Sequence, residues 1–205
     1  MFRNKFVLLV LLAVAAILGY TLYSSQESTP SATGTGNFRA DLLRERAEKD
    51  RTFREGSESP VLDKTAFRGL TYFAPDSTYR VEATMERMGR GATFTVQMTK
   101  GETETYKPYA LATFALAGQE CRLLVFESAE EGQLFVPFRD GTSGQETYGG
   151  GRYLDVPEEA VRGNTITLDF NRAYHPFCVF NPDYTCPIPP KENTLPVAVR
   201  AGERL

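Results

Sequence analysis

The sequence predicts a mainly β fold: an antiparallel meander, closed as a small barrel or folded as a sandwich. One N-terminal amphipathic helix and a separate transmembrane helix precede it. Three observations carry that expectation. From Tyr79 onward, apolar residues recur at every second position, as on half-buried strands. Polar turns separate these runs, and no helical pattern falls between them. The connections between the early runs are also too short for the crossovers that parallel pairing needs.

The elements follow in chain order. Arg3 and Lys5, within residues 1–5, precede an uncharged run from Phe6 to Tyr23. As a helix this run would be about 27 Å long, close to the roughly 30 Å hydrocarbon core of a bilayer. Positive charge before it and Glu27 after it predict a cytoplasmic N-terminus and an exported body. The run ends in Gly-Tyr-Thr-Leu-Tyr, which suits a membrane interface. A signal anchor over 6–23 is therefore expected, with a cleaved signal peptide as the alternative. The partner is then the membrane, and the location a single-pass membrane protein with a periplasmic or extracellular domain.

Residues 24–36, rich in Ser, Thr and Gly, read as a flexible linker, and 37–205 as the β-rich domain. Asn37 can cap a helix over 38–55, with Phe38, Leu42, Leu43 and Phe53 as its apolar stripe. The charges from Arg39 to Glu55 then form a solvated face. Strands are expected around Tyr79–Met85, Phe94–Met98, Tyr109–Leu116, Cys121–Phe126, Leu134–Phe138, Thr165–Phe170 and Leu195–Val199. Ala117-Gly-Gln-Glu120 joins two of them as a hairpin. Pro137, which has no N–H to give a ladder, belongs at a strand edge or end.

Composition narrows the function. With 41% hydrophobic and 24% charged residues and a net charge of −3, the chain has no basic stripe, and nucleic acid is excluded as a partner. Two stretches, Pro137–Asp155 and Asp169–Asn193, hold the chemistry: charges of both signs, tyrosines, prolines and a run of glycines. Charges crowded among rings and turns must be paired or serve a ligand. Arg139 and Arg152 are candidate clamps for an anion, because a guanidinium makes two parallel hydrogen bonds to carboxylate or phosphate. Glu146 with Asp140, Asp155 or Asp169 offers carboxyl pairs, which makes Asp140 and Glu146 the catalytic candidates. Tyr148 and Tyr174 are candidate walls, and Asp169 and Asn171 candidate orienting groups. Turn geometry and structural ion pairs are the competing reading of all of these.

Cys178 and Cys186, in one Pro-rich loop, read as a disulfide in an exported domain. Adding His175 gives three metal ligands, but a structural zinc site wants four at closer spacing. No metal or other cofactor is implied. Gly149-Gly150-Gly151 fits neither standard nucleotide-binding fingerprint.

From about Asp50 the chain resembles a bacterial and archaeal family known as domain of unknown function 1684. The resemblance rests on Phe67–Phe73, Leu134–Asp140, Gly144–Tyr148, Gly151–Asp155, Asp169–Asn171, Ala173-Tyr174, Cys186–Pro190, Glu192-Asn193 and Ala201-Gly-Glu203. His175 departs from it, since the family often has Asn there. The resemblance implies that the polar cluster belongs to the domain itself; it brings no activity, cofactor or catalytic residue. Two functions remain: a small anionic ligand bound at one end of a barrel, with or without catalysis, or a non-enzymatic envelope interaction module whose polar cluster is structural.

Overall fold

The computed structural model of the chain describes residues 33–89 and 91–205. The apolar run 6–23, the residues before it and the linker up to residue 32 lie outside the described residues. Among the described residues, no helix is long and apolar enough to cross a membrane. The fold is carried by Phe38–Leu205.

Helix α1 spans Thr33–Glu55, so it begins ahead of Asn37, which stands inside it rather than at its cap. Leu42, Arg46, Lys49 and Phe53 follow one another at steps of three or four and share one side of the helix. Leu42, Arg46 and Phe53 are buried, whereas Leu43 is 46% exposed. This corrects both expectations for the helix. Its inward line bypasses Leu43 and carries two cations, so the charges are not all solvated. Phe53 anchors the far end edge-on against Phe180, with ring centroids 5.2 Å apart.

The main sheet has seven strands, all in antiparallel pairs. In chain order they are β2 (Arg80–Arg87), β5 (Pro108–Leu116), β6 (Gln119–Glu127), β7 (Gln133–Phe138), β8 (Arg152–Pro157), β9 (Val161–Arg162) and β10 (Thr165–Asp169). Their spatial order is β8-β7-β6-β5-β2-β10-β9. The sheet curls until β8 and β10 touch, which makes a nearly closed barrel. Two short ribbons flank it: β1 (Thr71–Tyr72) with β11 (Glu203–Arg204), and β3 (Phe94–Gln97) with β4 (Thr103–Tyr106).

Alternation explains the core. Along β5, Pro108, Ala110, Ala112, Phe114 and Leu116 are buried while the intervening residues are less so. Leu123 and Val125 of β6, Val136 and Phe138 of β7, and Ile166 and Leu168 of β10 meet them inside. The β5–β6 hairpin turns at Ala117 (φ 50°) and Gly118 (φ 75°), both left-handed, as a two-residue loop matched to strand twist requires.

Strand β8 is absent from the sequence reading, which treated it as loop. It is buried almost throughout, so it lacks the alternation that marks a half-exposed strand. The expected strand over Leu195–Val199 is not one, although its alternation of buried and exposed residues is real. The segment bonds to a loop rather than to a strand: Leu195 N–H donates to Arg139 O (2.8 Å), and Gly141 N–H donates to Val197 O (2.9 Å).

Candidate functional site

A cleft of about 240 Å³ lies between α1 and one end of the barrel. Leu42, Glu45, Arg46 and Lys49 come from the helix. Tyr72, Asp155, Asn171, Arg172, Ala173, Tyr174 and Glu203 come from the barrel side. The β1–β11 ribbon builds the floor by pairing Tyr72 opposite Glu203. Gly202 makes that approach possible, because at φ 78° an added Cβ would stand 2.4 Å from Ala173 O. Glu203 N–H then donates to the same carbonyl at 2.8 Å.

Arg46 is the centre of the cleft. Its Nη1 donates to Phe73 O (2.8 Å) and its Nη2 to Asn171 O (3.1 Å), which fixes the guanidinium. Its Nε is buried without a partner, and among the described residues Arg46 makes no ion pair. The guanidinium lies 4.5 Å from the centroid of the Tyr72 ring, and the Tyr72 hydroxyl is likewise buried and unpartnered. Burial lowers the pKa of Arg46, and burial followed by Glu203 raises that of Tyr72. Tyr72 is therefore a neutral donor beside a cation. An unpaired buried donor is costly, and both of these belong to residues that line the cleft.

The opposite wall is already paired. Lys49 Nζ lies 2.8 Å from Glu203 Oε1, an ion pair without hydrogen-bond alignment, and 4.4 Å from the centroid of Tyr174. Tyr174 donates its hydroxyl to Asp155 Oδ2 at 2.7 Å. Burial, the largest influence, raises the pKa of Asp155; the Tyr174 bond opposes it and Glu130 adds to it. Arg172, also in the lining, is paired there: it grips Glu45 at 2.8 Å and also bonds Asp169.

Of the residues singled out by sequence, Asn171 and Tyr174 line this cleft, and Asp155 joins them. The others do not gather there. Arg152 and Asp140 form a fully buried ion pair at 2.8 Å, with side chains 0% and 1% exposed. Arg152 also donates to the carbonyls of Val199 (2.7 Å), Ala201 (2.5 Å) and Glu203 (2.9 Å). Asp140 Oδ1 accepts from Thr142 N–H (2.7 Å), the Thr142 hydroxyl (2.6 Å) and Val199 N–H (3.2 Å). This buried network, in which only Arg152 Nε lacks a partner, lies apart from the cleft and does not bring Arg152 or Asp140 to Asn171 and Tyr174 there. It clasps the segment 199–203 to the barrel instead.

Asp169 and Asn171 form a second clasp. Asp169 Oδ1 accepts from Asn171 N–H (3.1 Å) and Nδ2 (2.9 Å). Asn171 in turn bonds both backbone groups of Asp76. Glu146 pairs with Arg200 at the surface (2.9 Å) and does not line the cleft. Arg139 is half-buried with its Nε unpartnered, near Tyr148.

His175 is buried and neutral, its pKa pushed down to about 4 by burial, then by Arg152 and Lys49. Its Nε2 accepts from Tyr148 N–H at 3.3 Å, and Nδ1 lies 3.6 Å from Glu203 Oε2. Cys178 and Cys186 are adjacent free thiols, with Cys178 N–H 3.3 Å from Cys186 Sγ. Burial and the bond to Cys186 push the Cys178 thiol up to about 12. Among the described residues, no group of three or more His, Cys, Asp or Glu is placed to hold a metal.

Arg46, Lys49, Tyr72 and Glu203 were missed as site residues. The signal for the first two was their position between Leu42 and Phe53 on the inward line of the helix. Tyr72 and Glu203 lie within motifs that carry the family resemblance, but nothing in the sequence pairs segments so far apart.

The comparisons accord with a domain-wide architecture. A solution NMR structure of an uncharacterised protein from Haloarcula marismortui superposes with a TM-score of 0.66 at 41% identity. The match covers 84% of this chain and 97% of that one. No curated protein matches the chain. Residues 65–204 match the family described as protein of unknown function (DUF1684), and the chain belongs to that family.

Proposed function

We propose that the domain binds a small anionic molecule in the cleft between α1 and the barrel, with Arg46 and Tyr72 receiving the negative group. One observation carries this reading: a buried guanidinium with no ion pair among the described residues, its Nε–H and the neighbouring Tyr72 O–H both unsatisfied, in two residues that line the cleft. Buried cations are otherwise paired, and a carboxylate or phosphate would use both free donors. Lys49, held by Glu203, adds positive potential at the rim. The apolar run 6–23 would tether the domain to the membrane as a signal anchor, placing the cleft outside the cytoplasm.

Native mass spectrometry of protein purified without denaturation tests for a co-purified anion. Titration with succinate and with inorganic phosphate then measures affinity. Tyr72→Phe removes only the hydroxyl and is expected to weaken binding about tenfold at unchanged melting temperature. Arg46→Met should abolish it, and Arg139→Ala should leave it intact. Wild-type affinity in folded Tyr72→Phe and Arg46→Met would reject the reading. Carbonate extraction of membranes tests the anchor.

The second reading, a non-enzymatic envelope module with a structural polar cluster, is favoured by the closed Arg152–Asp140 and Asp169–Asn171 networks. It predicts that both titrations stay silent.

A further inference from the structure

A second, larger depression of about 530 Å³ adjoins the first, sharing Asp155 and Tyr174 as lining residues. Its character is different. Tyr106, Phe135, Tyr153 and Tyr174 form a continuous row of rings along it. Tyr106 and Phe135 have centroids 6.1 Å apart, Phe135 and Tyr153 4.9 Å, and Tyr153 and Tyr174 5.8 Å. Most neighbours in the row meet edge to face, at interplanar angles of 73° and 90°, so successive rings present different faces and edges. Around them stand the carboxyl groups of Glu104, Glu127, Glu130 and Asp155, against the ammonium of Lys107 in the lining and that of Lys49 over the Tyr174 ring. Lys107 reaches only Glu127, at 3.8 Å, with both side chains largely exposed.

We propose that this groove binds an organic cation, an alkylammonium group seated against the aromatic row and neutralised by the carboxylates around it. Ring faces carry negative potential and hold ammonium groups within about 6 Å of their centroids. The chain itself uses that contact on the shared wall, where Lys49 Nζ lies 4.4 Å from the Tyr174 centroid. The excess of carboxylates over cations supplies the charge complementarity, and the rings supply an apolar bed that a hydrated metal ion would not use. Burial is the largest cause of the raised pKa of Asp155, and Glu130 adds to it while Tyr174 and Lys49 oppose it. This site is independent of Arg46 and Tyr72, which do not line it.

The test compares choline with 3,3-dimethylbutan-1-ol, its uncharged isostere, by titration of the ¹⁵N-labelled full chain. Choline is expected to shift the amide resonances of Tyr106, Tyr153 and Asp155, and the alcohol to leave them in place at equal concentration. Glu104→Gln combined with Glu127→Gln alters only exposed side chains and should raise the choline Kd about fivefold or more. Tyr106→Leu should also weaken choline. Equal binding of the two probes would overturn the proposal. So would insensitivity to the charge substitutions, or unmoved resonances in the presence of choline.

Discussion

Asn193 bonds both backbone groups of Leu124 with its side chain: Leu124 N–H donates to Oδ1 at 2.7 Å, and Nδ2 donates to Leu124 O at 2.9 Å.. The same Nδ2 reaches Pro137 O at 2.7 Å. Strands β6 and β7 pair only at Phe126↔Phe135 and Glu127↔Leu134. Beyond them Pro137 has no N–H to offer, and the amide of Asn193 takes the place of the missing ladder.

Asn193→Ala should therefore cost about 3–4 kcal/mol, because it strands buried groups on two strands at once. Urea denaturation gives the number. A loss below about 1 kcal/mol would mean that water repairs the gap, and the amide would then not be the joint described.

Arg152 and Asp140 predict a coupled response. Arg152→Met leaves Asp140 buried and unpaired and should destabilise by about 3–5 kcal/mol. Adding Asp140→Asn should cost less than the two single losses summed. Denaturation of all three variants measures the coupling, and strict additivity would contradict a shared network.

His175 sets a pH dependence. Its folded pKa of about 4 lies below the ordinary 6.5, so between those values the unfolded chain holds more protons on this group. The stability it contributes is complete above about pH 6.5, falls as pH drops through the window, and levels off near pH 4. The full loss is about 3 kcal/mol. Melting temperatures of the wild type and of His175→Asn across pH 4 to 7 check this, and parallel curves would contradict it.

Cys178 and Cys186 should join when offered an oxidant. With glutathione disulfide, the two thiols give up two electrons and two protons, and two glutathione molecules leave. The raised pKa of Cys178 makes the reaction slow near neutrality and faster in alkali. The closed loop should stabilise the domain by about 2–3 kcal/mol. Peptide mapping and thermal melts follow both effects, with Cys178→Ser as the control; thiols that stay reduced at high pH would contradict the expectation.

The antiparallel body was legible because a period of two is a local signal. Thus β2 lies close to where alternation put it, and β5 and β6 close to where two apolar runs flanking a turn did. Strand β8 was not, because burial on both sides erased its alternation. The site was harder still. Arg152 and Asp140 carry the side chains of a clamp, and only burial reveals that their hydrogen bonds are spent on backbone. Arg46 carries the same chemistry inside a helix full of charges, where only its alignment with Leu42 and Phe53 distinguishes it.

Helix α1 stands ahead of the matched residues 65–204, yet it supplies Arg46 and Lys49, two of the three cations that line the cleft. If the cleft binds the proposed anion, occupancy and helix attachment are two descriptions of a single equilibrium. A molecule lodged beneath Arg46 would glue the helix down, and a force that peeled the helix away would empty the cleft. A segment ahead of the family match at residues 65–204 would in this way act as a release handle.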